Sequence, residues 1–420
     1  MNSNSSRLCG GLVLAALAVS GSAGLAADPI EITGSSPMGQ FQASAKSLPS
    51  LVSDLIKGSG RFGNLQNEPF LADLRYYNQQ QALHFDVTQA QPNQWQAVLT
   101  TPFKAGLINR TFVAASRDEL NTQIEDYLKK EGTTDLATWL KTLSQGTPFG
   151  VGAGNPNSTT ALQASSLYNE YGFSPVQTGA EREDPEDQAG MMGFAIMGDV
   201  GFIRAQGYTA KTYSVCPFIP FRLSSRVRLD VGLPLNYTEV EGAQTFRAGL
   251  QLGVPILLKK RNIREGERLR WQVAPSGSIS AAGTADMLDG GLIAGAGLTS
   301  QLGYDFGGIE VSMGNQFNIF QSLPVTVANY TFDPRLSSQI IKNGLKVGVP
   351  IASHWYVEAY AIDTELLGDA RYLSRYTTLG GGVGYRTNTK KRGYLMVGGY
   401  THIGTGWSQT SFQFGTGWKF

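Results

Sequence analysis

Gln413-Phe414-Gly415-Thr416-Gly417-Trp418-Lys419-Phe420 is the final stretch of the sequence, and it decides the fold prediction. Successive side chains of a β-strand point to opposite faces, so Phe414, Trp418 and Phe420 share one face. Gln413, Gly415 and Gly417 alternate with them on the other face. The pattern predicts a strand with one aromatic face and one small, polar face.

The same alternation extends backward to about residue 191. In 227–237 the odd positions are apolar and the even positions include Arg228 and Asp230; in 246–256 the even positions are apolar and Arg247 lies between them. Each such segment has one apolar and one small or polar face. Twelve segments are expected to begin near residues 192, 213, 227, 245, 268, 291, 308, 340, 355, 376, 393 and 410.

A soluble β-sandwich also alternates, but three features favour a transmembrane barrel. The segments run to about ten residues, which is the length of a tilted strand that crosses a bilayer. Their apolar faces are consistent while the opposite faces are rich in glycine, and the chain ends inside a strand. We therefore predict a mainly β fold, an antiparallel transmembrane β-barrel of about 12 strands preceded by a small α+β domain. One missed hairpin would change the count to ten or fourteen.

The composition supports a chain of many short strands. Of 420 residues, 51 are Gly, 17 Tyr and 20 Phe, while only 16% are charged. The net charge of +1 gives no reason to expect nucleic acid as a partner.

Residues 1–27 have the pattern of a secretory signal peptide. Arg7 precedes a short apolar core at 12–19, and small residues follow up to Ala27. Cys9 lies before that core, which leaves Cys216 as the single cysteine after the expected cleavage. An intramolecular disulfide is therefore not expected.

Residues 28–180 do not alternate over long stretches and are predicted to form an α+β region. Ser116 and Glu119 form a capping-box pattern that opens an amphipathic helix. Further helices are expected at 48–56 and from Thr134 to about Gly146, and a strand pair at 83–87 and 95–99. An acidic linker at 181–190 is expected to lead into a barrel at 191–420.

Charged residues on the faces opposite the apolar ones are the candidates for the lumen of the barrel. They either tune ion selectivity or form structural ion pairs that fill a narrow barrel, and the sequence leaves both roles open. These lumen candidates are Arg222, Arg228, Asp230, Arg247, Glu310, Lys346 and Glu358. Outward aromatic girdles at the two membrane interfaces are expected from Trp271, Trp355, Trp407, Trp418 and Phe420.

The remaining motifs do not predict an enzyme or a cofactor. The glycine cluster 149–154 lacks the Lys-Ser/Thr of a phosphate loop and is predicted to be a flexible connector. None of the three histidines has a second His or a Cys at metal-ligand spacing. His402 lies on a strand like the His of outer-membrane phospholipases, but Gly404 stands where their nucleophilic serine would be.

The terminal stretch resembles the C-terminal assembly signal of bacterial outer-membrane β-barrel proteins, with Gln413, Gly415, Trp418 and Phe420 in its four roles. That resemblance implies an outer-membrane location and two partners, the outer-membrane lipid and the barrel-assembly machinery. Over most of the mature chain the sequence is also similar to a group of uncharacterised proteobacterial proteins with an N-terminal soluble domain and a C-terminal barrel. The stretches that carry this second resemblance are 110–119, 154–158 and 237–243.

Three functional hypotheses follow from this layout. The first is a channel or secretion-type pore whose N-terminal region gates the lumen or recruits cargo. The second is a plugged structural or adhesion barrel that acts through its outer loops, and the third is an autotransporter-like translocator. An even strand count places both ends of the barrel in the periplasm, with short turns there and longer loops outside. The N-terminal region is then expected in the periplasm or folded back into the lumen, and the solute or exported substrate stays open.

Overall fold

The computed structural model describes residues 28–77, 79–102, 107–127, 133–144, 147–171, 193–259, 268–284, 289–327, 330–332, 335–369, 371–386 and 393–419. The predicted signal peptide, the acidic linker and Phe420 lie outside these residues. The boundaries predicted between them and their neighbours therefore stay predictions.

An N-terminal domain is built on one antiparallel sheet with the strand order β2-β1-β3-β4-β5-β6. Helices α1 and α2 cover one face of this sheet, and Ile32, Phe85 and Leu55 are buried between the layers. The predicted helices and the predicted strand pair are present. Its elements are β1 Ile30–Ser36, β2 Gly39–Ala45, α1 Leu48–Lys57, a 3-10 helix Gly60–Leu65, β3 Phe70–Tyr76, β4 Gln79–Gln91, β5 Gln94–Thr100, β6 Asn109–Ala114, α2 Arg117–Asp126 and α3 Thr133–Ser144.

The predicted capping box begins α2. The Ser116 hydroxyl accepts a hydrogen bond from the Glu119 N–H at 3.1 Å, and the Glu119 carboxylate accepts one from the Ala115 N–H at 3.0 Å. The first contact satisfies an N–H group that the helix start leaves without a partner, and the second ties the residue before the N-cap to the first turn.

The C-terminal part is a closed antiparallel β-barrel, as predicted. Strand β22 pairs with β7 along its whole length, from Trp407↔Ala205 to Lys419↔Gly193, and this pairing closes the sheet. Its strands are β7 Gly193–Ala205, β8 Tyr208–Arg222, β9 Arg228–Gly232, β10 Leu235–Val240, β11 Ala243–Gly253, β12 Ile256–Lys259, β13 Leu269–Thr284, β14 Asp289–Asp305, β15 Glu310–Leu323, β18 Ser337–Pro350, β19 Trp355–Gly368, β20 Arg375–Arg386, β21 Gly393–Gly404 and β22 Trp407–Lys419.

These segments make 12 wall strands, because β9 with β10 and β11 with β12 are two interrupted strands. Pro234 and Pro255 stand at the interruptions, and proline has no N–H to donate to a neighbouring strand. Each predicted strand start lies within five residues of an observed one. The largest difference is for β8, which is predicted to start near residue 213 and starts at Tyr208.

The outer surface of the barrel is an apolar belt. Phe412 is 64% exposed and Phe246 is 60% exposed, and both stand on the predicted outward faces. A closed barrel satisfies its backbone hydrogen bonds internally, so such a belt fits the hydrocarbon of a bilayer. The barrel is therefore a transmembrane one.

The barrel has two rims, which we name by what they carry. The terminal rim holds both ends of the barrel, at 193 and 419, with the turns 223–227, 306–309 and 351–354. The domain rim holds the two-residue turns 206–207, 241–242 and 405–406 and the longer connections 324–336 and 369–374. The connection 324–336 carries a small hairpin, β16 Val325–Val327 and β17 Tyr330–Phe332. The expected long loops are therefore present on this rim beside three tight turns.

Candidate functional site

The lumen of the barrel is occupied by a helix of the same chain. Helix α4, Thr159–Tyr171, was not predicted from the sequence, and it runs from the domain rim towards the terminal rim. Near its start, Ala161 and Ala164 pack against Ile293 and Ile340 of the wall. Near its end, the Tyr168 hydroxyl donates to the Gly314 carbonyl at 2.8 Å. The helix is thus a plug along the barrel axis.

The glycine-rich segment before α4 is buried in the mouth of the barrel. The Asn157 amide donates to the Thr238 hydroxyl at 3.2 Å, and the Gly154 carbonyl accepts from the Tyr372 N–H at 2.8 Å. A Cβ on Gly152 would clash with the side chain of Leu336, so glycine permits the close approach. The prediction of a flexible connector here is wrong, because small residues let this segment pack between the strands.

Hydrogen bonds hold the middle of α4 against the wall. The Gln163 amide donates to the Ile293 carbonyl at 3.3 Å, and the Ser166 hydroxyl donates to Gln251 at 3.0 Å. The Lys342 ammonium, only 2% exposed, donates to the Ser165 hydroxyl at 3.0 Å. Since a typical hydrogen bond contributes about 1 kcal/mol net, these contacts orient the helix without fixing it irreversibly.

An ionic cluster anchors the end of α4. The Arg228 guanidinium contacts Asp230 at 2.6 Å and 2.7 Å through two nitrogens, and Glu170 of α4 at 3.3 Å. The side chain of Asp230 is 0% exposed and that of Glu170 is 4% exposed. Removing one partner from such a cluster leaves a buried charge uncompensated, which costs several kcal/mol. Two of the predicted lumen residues therefore clamp the plug.

The other predicted lumen residues are distributed around the wall. Lys346 and Glu358 form a second buried pair at 3.8 Å. Arg247 donates to Asn236 at 2.6 Å. Arg222 donates to the Ser224 carbonyl at 3.3 Å in a turn of the terminal rim. Glu310 begins β15 at the same rim, opposite Asp305. The structure thus places Arg228 with Asp230 and Lys346 with Glu358.

The residues of the C-terminal signal divide between the two faces as predicted. Gln413 faces the lumen, where its amide oxygen accepts from the Tyr360 hydroxyl at 3.3 Å. Gly415 lies on the same face, and Trp418 is outward and 45% exposed. Their role in assembly stays a prediction.

Of the predicted girdle tryptophans, Trp271 and Trp355 are outward and 43% and 47% exposed. The prediction that Trp407 belongs with them is wrong. Trp407 is 2% exposed and packs inside the mouth of the barrel. It is the first residue of β22, and like Gln413 and Gly415 it is an odd-numbered residue whose side chain faces the lumen.

Sequence reasoning missed other polar groups of the lumen. The Tyr400 hydroxyl donates to the Asp199 carboxylate at 3.2 Å. The His402 ring bonds the Thr378 hydroxyl at 2.6 Å and lies beside Tyr400. Asp199 stands on the lumen parity of the first barrel strand, so alternation alone was a sufficient signal for it.

A cavity of about 140 Å³ remains beside α4. The helix packs on β13, β14, β15 and β18, and the cavity lies on its other side, against β7, β8, β10, β11, β19, β21 and β22. Its lining includes Asp199, Tyr400 and Met396 from the wall and Ser166 and Asn169 from α4. The plug therefore leaves space along one half of the wall.

The N-terminal domain closes the mouth above this cavity. Inward-facing Ile203, Ala205 and Trp407 belong to the same buried cluster as the core of the domain. Tyr77, held at a positive φ of 48°, contacts the ring of Tyr208 with a centroid distance of 5.4 Å. The domain therefore docks on the domain rim through apolar surface.

The position of the domain bears on the predicted topology. The domain lies at the rim opposite to the one that carries both ends of the barrel, and α4 connects it through the lumen. The expectations of periplasmic barrel ends and of a periplasmic N-terminal domain therefore cannot both hold.

An ion pair at the docking surface predicts a pH dependence. Partial burial alone would raise the pKa of the Asp369 carboxyl, but hydrogen bonds from Lys141 (2.8 Å) and from the Ser337 N–H outweigh it and hold the pKa below its ordinary value of 3.8. A carboxyl pKa that is lower in the folded than in the unfolded protein stabilises docking at pH values above the pKa of the unfolded chain. This contribution is lost as the pH falls through the pKa of the folded protein, below about pH 4. We expect the segment before α4 to become more sensitive to protease in that window.

Limited proteolysis of the reconstituted protein across pH 3–7 measures this effect. Asp369→Asn should remove the pH-dependent step, whereas Asp73→Asn on the open face of the domain sheet should keep it. An unchanged step in Asp369→Asn would contradict the assignment.

Comparisons with known proteins show only a general similarity to solved bacterial barrel structures. No family model and no curated protein matches the sequence. The translocator domain of autotransporter NalP from Neisseria meningitidis is similar at 14% identity and a TM-score of 0.41, over 62% of this chain and 98% of that chain. The beta domain of the Bordetella autotransporter Brka matches at 14% identity and a TM-score of 0.38, over 54% of this chain and 98% of that chain. A Pseudomonas aeruginosa FadL homologue matches at 8% identity and a TM-score of 0.32, over 66% of this chain and 97% of that chain.

At these values the matches assign neither a family nor a function. The similarity to one particular proteobacterial group stays a prediction. In the described part of the chain, no helix combines the length and apolar content needed to cross a bilayer.

Proposed function

We propose that this protein is a secretion-type outer-membrane barrel that exports its own N-terminal domain and then keeps α4 as a plug. The observation that carries the proposal is the path of the chain. The domain lies at the domain rim, α4 descends inside the lumen, and β7 starts at the terminal rim. The chain therefore threads its own barrel.

The dimensions of the domain support transport before folding. Six strands spaced about 4.8 Å apart make a sheet about 24 Å wide. A single helix, about 10–12 Å across with its side chains, leaves only a cavity of about 140 Å³ beside it. The folded domain is too wide for that passage, so it crosses as an extended chain and folds at the far rim.

The topology follows if both ends of the barrel are periplasmic. The domain then stands at the cell surface, and the prediction of a periplasmic domain is given up in favour of that of periplasmic barrel ends. Residues 1–27 would act as the signal peptide, the apolar belt would contact outer-membrane lipid, and Gln413, Gly415 and Trp418 would engage the barrel-assembly machinery. In this proposal the barrel serves to display the domain, a role that requires no catalytic residues.

Cysteine labelling in intact cells tests this topology. In a Cys216→Ser background, Met38→Cys places a thiol at a site that is 67% exposed in the domain, and Ser353→Cys places a matched thiol in a turn of the terminal rim. We expect a membrane-impermeant maleimide to label position 38 in intact cells and position 353 only after lysis. The reverse pattern would place the domain in the periplasm.

A gated channel is the second candidate, and the cavity beside α4 favours it. In that case α4 moves to admit a solute, and the domain acts as a lid. The two candidates differ in whether the full chain conducts.

A further inference from the structure

One acidic side chain of the barrel wall plays no part in the proposed export. Asp199 of β7 lines the cavity beside α4, and its direct cross-strand partners are Ser214 of β8 and Gln413 of β22. Within the residues that the structure describes, its carboxylate contacts the hydroxyls of Tyr400 (3.2 Å) and Ser214, and no Lys or Arg side chain. Asp199 is therefore a negative charge held by neutral groups.

The positive charge on the same row of the wall lies too far away to neutralise it. Arg247 donates to Asn236 at 2.6 Å, and the Asn236 amide donates to the Ser214 hydroxyl at 2.9 Å, which leads back to Asp199. The row crosses three strand spacings, and at about 4.8 Å each the two charges stand on the order of 14 Å apart along the wall. A carboxylate withdrawn from bulk water without a paired cation is costly, so this one is suited to receive a cation.

The carboxylate has acceptor capacity left for a ligand. An ionised carboxylate offers about four lone-pair positions, and two hydroxyls occupy only part of them. Asp199 keeps partial exposure and lines the cavity, so its remaining acceptor positions are open to that space. The cavity of about 140 Å³ has room for about ten waters, at 10–15 Å³ for each, and thus for a small organic molecule.

The rest of the lining suits a ligand with one charged and one apolar end. The rings of Tyr360 and Tyr400 line the same cavity, and His402 stacks beside Tyr400 with a centroid distance of 4.7 Å. Aromatic faces attract cations through their ring quadrupole. Leu162 of α4 and Met396 of β21 add apolar surface to the lining. The cavity therefore combines a carboxylate, aromatic rings and apolar contacts.

We propose that this cavity binds a small primary alkylammonium ion, with the ammonium on Asp199 and the alkyl chain against Leu162 and Met396. A primary ammonium carries one positive charge and three N–H donors, and its hydrogen bond to a carboxylate is charge-assisted. An ionisable side chain inside a membrane-spanning segment is costly and usually belongs to a binding or transport site. The site goes beyond the export of the domain and does not depend on it.

Calorimetric titration of the full-length mature protein in detergent and low salt tests the proposal. The probes are n-butylammonium, n-butanol and butyrate, which share an alkyl chain and differ in charge. We expect one equivalent of n-butylammonium to bind and the other two probes not to bind. Asp199→Asn should weaken binding at least about tenfold, the usual effect of losing one hydrogen bond to a charged group. The matched control is Asp73→Asn on the open face of the domain sheet, which should bind as the unchanged protein does.

The probe series on the unchanged protein gives a test that needs no variant. Equal binding of n-butanol would mean that the cavity takes any alkyl chain, and it overturns the proposal. Binding of Na⁺ as tight as that of n-butylammonium overturns the assignment to an organic amine. Absence of n-butylammonium binding, or full affinity in Asp199→Asn, also overturns it, and the carboxylate is then a structural group held by Tyr400 and Ser214.

Discussion

A barrel that lacks residues 28–171 is expected to conduct ions in stepwise openings, whereas the full mature chain stays closed. Helix α4 has 13 residues, so at about 1.5 Å per residue it fills about 20 Å of the lumen. Its removal leaves a water-filled passage lined by polar side chains such as Asp199 and Arg247. Planar-bilayer recordings of the two refolded proteins measure the difference, which we expect to be from no resolved steps to clear ones.

A variant that lacks only residues 28–144 is the matched control. It keeps α4 and the buried segment before it, but it loses the domain that closes the mouth. If α4 is the plug, this variant stays closed as well. Steps from this variant would make the domain the seal, and steps from the full chain would favour the gated channel.

The wall of the barrel was predictable because a lipid-facing surface imposes one simple rule. Every second side chain must be apolar along a whole strand, and Phe246, Leu345 and Leu379 are examples of such outward-facing residues. The opposite parity of the alternation then identifies Arg228 and Asp230 as lumen residues from the order of amino acids alone. Burial by lipid leaves a periodic trace in the sequence.

The plug left no such trace. Helix α4 is enclosed by a polar lumen on several sides, so Thr159, Gln163 and Glu170 are buried together with Leu167. An amphipathic period arises when one face of a helix meets water and the other an apolar core. A helix enclosed by a wall of mixed polar and apolar residues has neither, so its sequence shows no amphipathic period.

The docking of the domain was hidden for a related reason. Near the mouth, Ile203, Ala205 and Tyr208 are apolar on the lumen parity, which breaks the alternation that predicts a strand. Alone, these residues suggest only an uncertain strand end. These residues are apolar because they pack against the core of the N-terminal domain, most of which lies more than a hundred residues earlier in the sequence. A local sequence pattern cannot predict such a distant contact.

Arg117→Met is expected to unfold the N-terminal domain at much lower denaturant than the unchanged protein. The Arg117 guanidinium is buried and donates to the carbonyl oxygens of Ile56 (2.7 Å), Glu68 (3.0 Å) and Leu65 (3.2 Å). It also lies over the ring of Trp95 at 4.7 Å. Burial lowers the pKa of this guanidinium to about 10, which leaves it charged at neutral pH. The residue therefore joins α1, the 3-10 helix and the segment before β3 at one point.

Methionine keeps the stem of the side chain and removes every donor. The carbonyls of Ile56 and Glu68 then lose the Arg117 donor, whereas the Leu65 carbonyl keeps the Glu68 N–H at 3.2 Å. Since each unsatisfied buried group costs about 1–3 kcal/mol, we expect a loss of about 2 kcal/mol or more. Arg110→Met is the control, because Arg110 is exposed and contacts the Tyr127 side chain, and it should change stability by less than about 0.5 kcal/mol. Urea unfolding followed by tryptophan fluorescence measures both variants in the full chain. Equal midpoints for the two variants would mean that the carbonyls find other partners, and the domain would then be held by its apolar core alone.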